Sequence, residues 1–89
     1  MSLHRRAAKR DASERDVIQA LEACGWTVQQ VSAKDWFDLV AVKGTRAVFI
    51  ECKSGKKKLK PGQQKNFDQW PGEKQIFRSA DDVLAWACH

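Results

Sequence analysis

Residues 37–53 read Phe37-Asp38-Leu39-Val40-Ala41-Val42-Lys43-Gly44-Thr45-Arg46-Ala47-Val48-Phe49-Ile50-Glu51-Cys52-Lys53. Two apolar runs, Phe37 to Val42 and Ala47 to Cys52, flank Lys43-Gly44-Thr45-Arg46, which is a hairpin turn signal. Both runs are apolar at odd and even positions alike. Strands of that kind are covered on both faces, so helices are expected on each side of the sheet. The turn also sets a register. With Lys43 facing Arg46, Val42 faces Ala47, Val40 faces Phe49 and Asp38 faces Glu51. Side chains alternate across a sheet, so Asp38, Glu51 and Lys53 share one face. Directly opposed Cβ atoms lie about 4.5–5.5 Å apart. Two carboxylates at that spacing repel, more strongly where water is scarce.

Working outward, a helix starts near Asp11 or Ser13. Val17, Ile18, Leu21 and Cys24 fall at helical spacing, and Gly25 stops it. Trp26 to Val31 reads as a strand, with Trp26, Val28 and Gln30 on one face. On the other side of the hairpin, Ser54 to Lys60 is a polar, basic loop. Pro61 suits the first turn of a second helix, whose Gln63, Phe67 and Trp70 share a face, and Pro71-Gly72 ends it. Gln75 to Arg78 is a short fourth strand. Ser79 caps a last helix with Asp81 and Asp82 in its first turn, and Val83, Leu84, Trp86 and Ala87 supply its apolar contacts. The order α-β-β-β-α-β-α makes an α/β sandwich around a mixed sheet.

The chain has 89 residues, enough for one compact domain. No apolar run is long enough to span a bilayer, and Met1 to Arg10 lacks the apolar core of a signal peptide. Cys24, Cys52 and Cys88 are odd in number and lack zinc-ligand spacing, which points to a reducing cytoplasm. Cys24 and Cys52 read as small buried apolar residues. The net charge is +5 and the pI about 9.4. The charge is clustered. Residues 1–10, with His4, Arg5, Arg6, Lys9 and Arg10, read as a basic flexible arm ahead of one domain over 11–89. Lys56, Lys57, Lys58 and Lys60 form a second cluster. Such clusters suit a polyanion, most often nucleic acid; a solvated tail and loop are the alternative.

A fold that holds two acids together needs a reason, and a divalent cation is one. Mg²⁺ takes oxygen ligands, often one or two carboxylates plus water and substrate phosphate. Such an ion polarises a phosphodiester and acidifies water. Lys53, two residues beyond Glu51, can orient the attacking water or stabilise charge growing on the phosphorane. The bland alternative is a salt bridge of Glu51 to Lys53 or Arg46.

Phe37-Asp38-Leu39-Val40-Ala41-Val42 and Phe49-Ile50-Glu51-Cys52-Lys53-Ser54 resemble the PD-(D/E)XK nuclease superfamily, in particular VRR-NUC nucleases and archaeal-type Holliday junction resolvases. Glu14 in Ser13-Glu14-Arg15-Asp16 matches the acid of an early helix. Gly25-Trp26 matches a strand start, and Leu59-Lys60-Pro61-Gly62-Gln63 matches a Pro followed by Gln after the catalytic strand. The likeness runs from about residue 12 over nearly the whole chain. It implies a restriction-endonuclease-like αβββαβ core with a mixed central sheet flanked by helices. It also implies a metal-dependent, structure-selective DNA endonuclease using Mg²⁺ or Mn²⁺, acting on branched DNA such as four-way junctions. A symmetric homodimer would match a two-fold substrate. The context would be prokaryotic, phage or a mobile element.

Carried over, Asp38 and Glu51 bind the metal and Lys53 assists the chemistry. Main-chain carbonyls of Ile50 and Cys52 contribute, Glu14 is a further ligand, and Gln63 holds the water or the lysine. Lys56, Lys57, Lys58, Lys60, Arg5 and Arg6 grip DNA phosphates. Two departures stand out. Phe37 replaces the Pro usual before the first acid in VRR-NUC members, and Gln64 competes with Gln63 for the glutamine position. Other roles compete as well. Glu14 can complete a capping box with Asp11, and Gln63 can be a plain first-turn residue. Ser32 can touch the site or be an ordinary loop residue. Trp36 can stack on an unpaired base or make a core or dimer contact. The competing functions are a non-catalytic nucleic-acid-binding module and a small protein-interaction domain.

Overall fold

The computed structural model describes residues 10–87 of the chain. The elements follow the expected order: α1 (Glu14–Ala23), β1 (Thr27–Gln30), β2 (Leu39–Lys43), β3 (Arg46–Cys52), α2 (Pro61–Gln69), β4 (Glu73–Phe77) and α3 (Ala80–Ala87). The four strands form one sheet in the order β1-β2-β3-β4. The first two pairings are antiparallel, and β3 pairs parallel to β4 through the α2 crossover. The fold is therefore α/β with a mixed sheet, compatible with an αβββαβ core. Among the described residues no helix is long and apolar enough to cross a membrane.

The hairpin has the register expected from its turn, with Lys43 opposite Arg46, Val42 opposite Ala47 and Val40 opposite Phe49. Gly44 carries φ +63° while Thr45 keeps a negative φ. That is the pattern of a type II′ turn, whose twist matches the flanking strands. On one face of the sheet, Leu39, Ala41, Val48, Ile50 and Cys52 pack with Val17 and Leu21 of α1, Phe77 of β4 and Val83 of α3. Each such aliphatic or aromatic side chain contributes about 1.5–3 kcal/mol by leaving water. At the turn end, the Arg46 guanidinium lies 5.2 Å from the Trp26 ring and 5.5 Å from the Trp86 ring, and pairs with Glu73 at 2.7 Å.

The other face is covered at one end only. Phe37 and Phe49 meet Phe67 of α2 and Trp70 just past its end, with Trp36 edge-on to Phe37 and Trp70. Val42, beyond the reach of this short helix, is 41 % exposed. Double-sided burial therefore holds for the site end of the hairpin and fails towards the turn. Leu84 is likewise exposed rather than packed, because α3 turns Val83 inward and leaves the next position facing solvent. Trp36 belongs to the aromatic cluster, which is the core reading of that residue.

Three local features place α2. Pro61 is its first residue, where the missing N–H costs nothing. Asn66 Nδ2 donates to the Asp35 carbonyl at 2.6 Å. A Cβ on Gly62 would sit 2.6 Å from Asp35 Oδ2, so a larger residue there would displace that side chain. The start of α2 is thus pinned to the loop that leads into Asp38. Ser79 caps α3 as expected, accepting from the Asp82 N–H at 3.3 Å.

Candidate active site

The regular β2–β3 ladder ends at Leu39–Ile50, one pair short of the expected Asp38–Glu51 pairing. Asp38 instead donates its N–H to the Ile50 carbonyl at 2.9 Å, so Asp38 and Leu39 both oppose Ile50. This offset is bulge-like, and bulges re-aim side chains. It also gives the Ile50 carbonyl, one of the expected oxygens, a main-chain donor. The re-aimed Asp38 Oδ2 accepts the Cys52 N–H at 2.8 Å, and the Asp38 carbonyl accepts the Val31 N–H at 2.8 Å. β3 therefore holds both the main chain and the carboxylate of Asp38, and Val31, just after β1, holds its carbonyl.

From this position Asp38 meets acids on both sides. Glu51 is 1 % exposed, and its carboxyl is pushed up to about 8. Burial is the chief cause, followed by the Asp38 charge and a hydrogen bond shared with Asp38, against which the Lys53 ammonium works. Arg46 lies at the far end of the hairpin and pairs with Glu73, so it offers Glu51 no salt bridge. On the α1 side, a carboxylate oxygen of Glu14, one of Asp38 and the Cys52 Sγ all lie within 4.8 Å of one another. Glu14 is 3 % exposed, and burial raises its pKa against the opposing effects of Gln30 and Arg10. Its Oε2 accepts from Arg10 Nε at 2.9 Å and Gln30 Nε2 at 2.7 Å. The carboxylate thus points inward and makes no capping box with Asp11. Among the described residues, Glu14 Oε1 and Glu51 Oε1 are buried without a hydrogen-bond partner. Burying an unpaired polar atom costs about 1–3 kcal/mol.

Above these acids opens a cleft of about 660 Å³, lined by Arg10, Asp11, Ala12, Asp38, Cys52, Lys53, Lys57, Lys58, Lys60 and Gln63. Five of its walls are cations, set over buried acids. Lys53 is held by its N–H to the Phe77 carbonyl at 3.2 Å. Gln63 lines the cleft while its Oε1 accepts the Lys60 N–H at 3.0 Å, so it serves the helix start as well. Gln64 is exposed and donates to Asp68 Oδ1 at 2.9 Å on the outer face of α2. Lys56 is exposed and not among the cleft-lining residues, unlike its three neighbours, and Ser32 is also exposed and outside the lining. Arg5 and Arg6 lie outside the described residues.

Two parts of the site have no counterpart in the expectations. Asp11 ties the segment before α1 to the lysine loop. Its carboxylate accepts from the Ser54 N–H at 3.0 Å, the Ser54 hydroxyl, the Ser13 N–H at 2.9 Å and the Ser13 hydroxyl at 2.7 Å. Burial pushes this acid up, but the bonds from Ser54 and Ser13 outweigh it and hold it far below the usual carboxylate range. Arg78 braces the same loop, donating to the carbonyls of Gly55 at 3.1 Å and Lys57 at 2.7 Å. Arg10, expected in a flexible arm, belongs to the folded body, because Glu14 and the Val31 carbonyl both hold its guanidinium. Comparison of the chain with protein-family models, curated proteins and solved structures gives no match.

Proposed function

We propose that the protein is a metal-dependent nuclease that hydrolyses phosphodiester bonds in DNA. One observation carries the reading: two buried carboxylates with orphaned oxygens flank a third acid at the floor of a cleft walled by lysines. Acids so placed repel unless a cation joins them, and their unpaired oxygens suit a hard divalent ion such as Mg²⁺ or Mn²⁺. Glu14, Asp38 and Glu51 would hold it, with the Cys52 carbonyl as a further oxygen. When bound, the ion supplies positive charge at the scissile phosphate and makes nearby water more acidic.

The chain's own residues account for the rest of the chemistry. Lys57, Lys58 and Lys60 draw the DNA backbone into the cleft and neutralise flanking phosphates. Lys53, beside Glu51, places an ammonium where charge grows on the phosphorane. Gln63 orients water from the α2 side of the cleft. The second reading is a basic binding module without catalysis, favoured by the five cations that line the same cleft.

A single gel separates the two. The protein is incubated with four-way junction, flap, single-stranded and linear duplex DNA in Mg²⁺ or Mn²⁺. Controls contain EDTA or the Lys53→Ala variant. Cleavage of at least one branched substrate is expected. Lys53→Ala should slow it by about 10²-fold or more, and EDTA should abolish it. Salt-sensitive binding of DNA with no cutting in either metal would leave the binding module. A dimer is the expected solution state if both strands of a junction are cut together.

A further inference from the structure

Cys52 brings a different donor to the acid cluster. Its Sγ shares a radius of 4.8 Å with carboxylate oxygens of Glu14 and Asp38. It is 1 % exposed, yet it lines the cleft floor together with Asp38. Glu14 Oε2 is occupied by Arg10 and Gln30, which leaves the buried Oε1 without a partner among the described residues. A thiol is only a weak donor and does not satisfy a carboxylate oxygen at that depth.

We propose that Glu14, Asp38 and Cys52 form a mixed thiolate–carboxylate site that takes a thiophilic divalent cation, Zn²⁺ or Cd²⁺, more tightly than Mg²⁺. This rests on the reading of the cleft as a cation site and specifies which cation chemistry it selects. A tetrahedral ion with Zn–S about 2.3 Å and Zn–O about 2.0–2.2 Å places sulfur and oxygen about 3.6 Å apart. The three donors already lie within 4.8 Å of one another, so side-chain rotations that draw them in by about an ångström complete the set. The thiol proton passes to solvent on coordination. Three protein ligands leave a fourth position open towards the cleft, the arrangement of an ion that meets substrate. Mg²⁺ demands octahedral oxygen ligation and gains nothing from sulfur. The site therefore ranks ions by softness, which an all-oxygen cluster does not do.

The test uses the full chain with Cys24→Ser and Cys88→Ser, which leaves Cys52 as the one thiol. Cd²⁺ is titrated in and followed by the ultraviolet charge-transfer band of a cadmium–thiolate bond. A saturable band at one Cd²⁺ per chain is expected, persisting in a large excess of Mg²⁺. Glu14→Gln and Asp38→Asn should each weaken Cd²⁺ binding by about tenfold or more. Circular dichroism checks folding. If the double-serine background does not fold, the same titration is read as the difference between the native chain and its Cys52→Ser variant. Absence of the band overturns the proposal, as does a band indifferent to both acid variants, which means the thiol alone holds the ion. The outcomes separate from the nuclease reading. Cleavage in Mg²⁺ without the cadmium band refutes this inference alone, and the band without cleavage in any metal refutes the nuclease alone.

Discussion

Glu51→Gln measures what the buried acid pair costs the metal-free fold. The Glu51 carboxyl titrates at about 8 in the folded protein, against 4.5 for the ordinary group. Below 4.5 both the folded and unfolded chains hold the proton, and the stability contribution is fully present. As pH rises the unfolded chain releases the proton first, so stability falls until the folded group also ionises near 8. At about 1.4 kcal/mol per pH unit, the loss across that window is about 5 kcal/mol. Stability for a domain of this size is about 4–13 kcal/mol in total, so the effect is large. Glutamine keeps the shape and has no such proton to lose. Burial and the raised pKa of Glu14 act on both proteins alike, so the difference between them isolates Glu51. The assay is urea unfolding in EDTA from pH 4.5 to 9. The native chain should weaken steadily through the window, and the variant should overtake it by several kcal/mol at the alkaline end. Mg²⁺ at about 100 times its Kd should return about 2.7 kcal/mol to the native chain and far less to the variant. Parallel pH profiles, with no magnesium effect, would refute the acid pair as a strained cation site.

Changing Lys57, Lys58 and Lys60 together to Gln should lower the slope of log K against log salt for duplex DNA by about 2–3, at roughly 0.9 per lost phosphate contact. A salt titration by fluorescence anisotropy reads it. Asp11→Asn should cost about 1–3 kcal/mol at pH 7, seen in urea midpoints. Because the Asp11 pKa is depressed, its contribution is present above 3.8 and fades as pH falls, so the deficit should narrow in acid. Phe37→Ala removes the ring that contacts Trp36, Phe49, Phe67 and Trp70. It should cost about 3–5 kcal/mol and lower the melting temperature by more than about 10 °C.

The parts of this fold that were readable from sequence are those fixed over short distances. The hairpin register follows from Gly44 at a tight turn, α2 from Pro61, and the α3 cap from Ser79. Glu14 was singled out by likeness to the acid of an early helix, and its burial at 3 % exposure is what the fold adds. What escaped reading depends on contacts between distant segments. Asp11 meets Ser54 across 43 positions, and Arg78 reaches the Gly55 carbonyl across 23. No periodicity announces such pairs. The Asp38 offset escaped for another reason. Alternation assumes an unbroken ladder, and here the main chain gives up one pairing so that a side chain can reach the Cys52 N–H. Covering of the second sheet face was overstated at Val42, because an apolar residue on a strand does not reveal how far the covering helix extends.

The hairpin tip also governs the acids through simple counting. About six residues separate it from Asp38, roughly 20 Å at strand rise. One residue inserted between Gly44 and Thr45 has two fates. Either it bulges out where it enters, or it slides β3 along β2 and swaps the faces presented by Glu51 and Cys52. In the second case the carboxylate and the sulfur trade places, with no change to any residue near them. Loop length at a remote, solvated corner is thus a dial on donor identity.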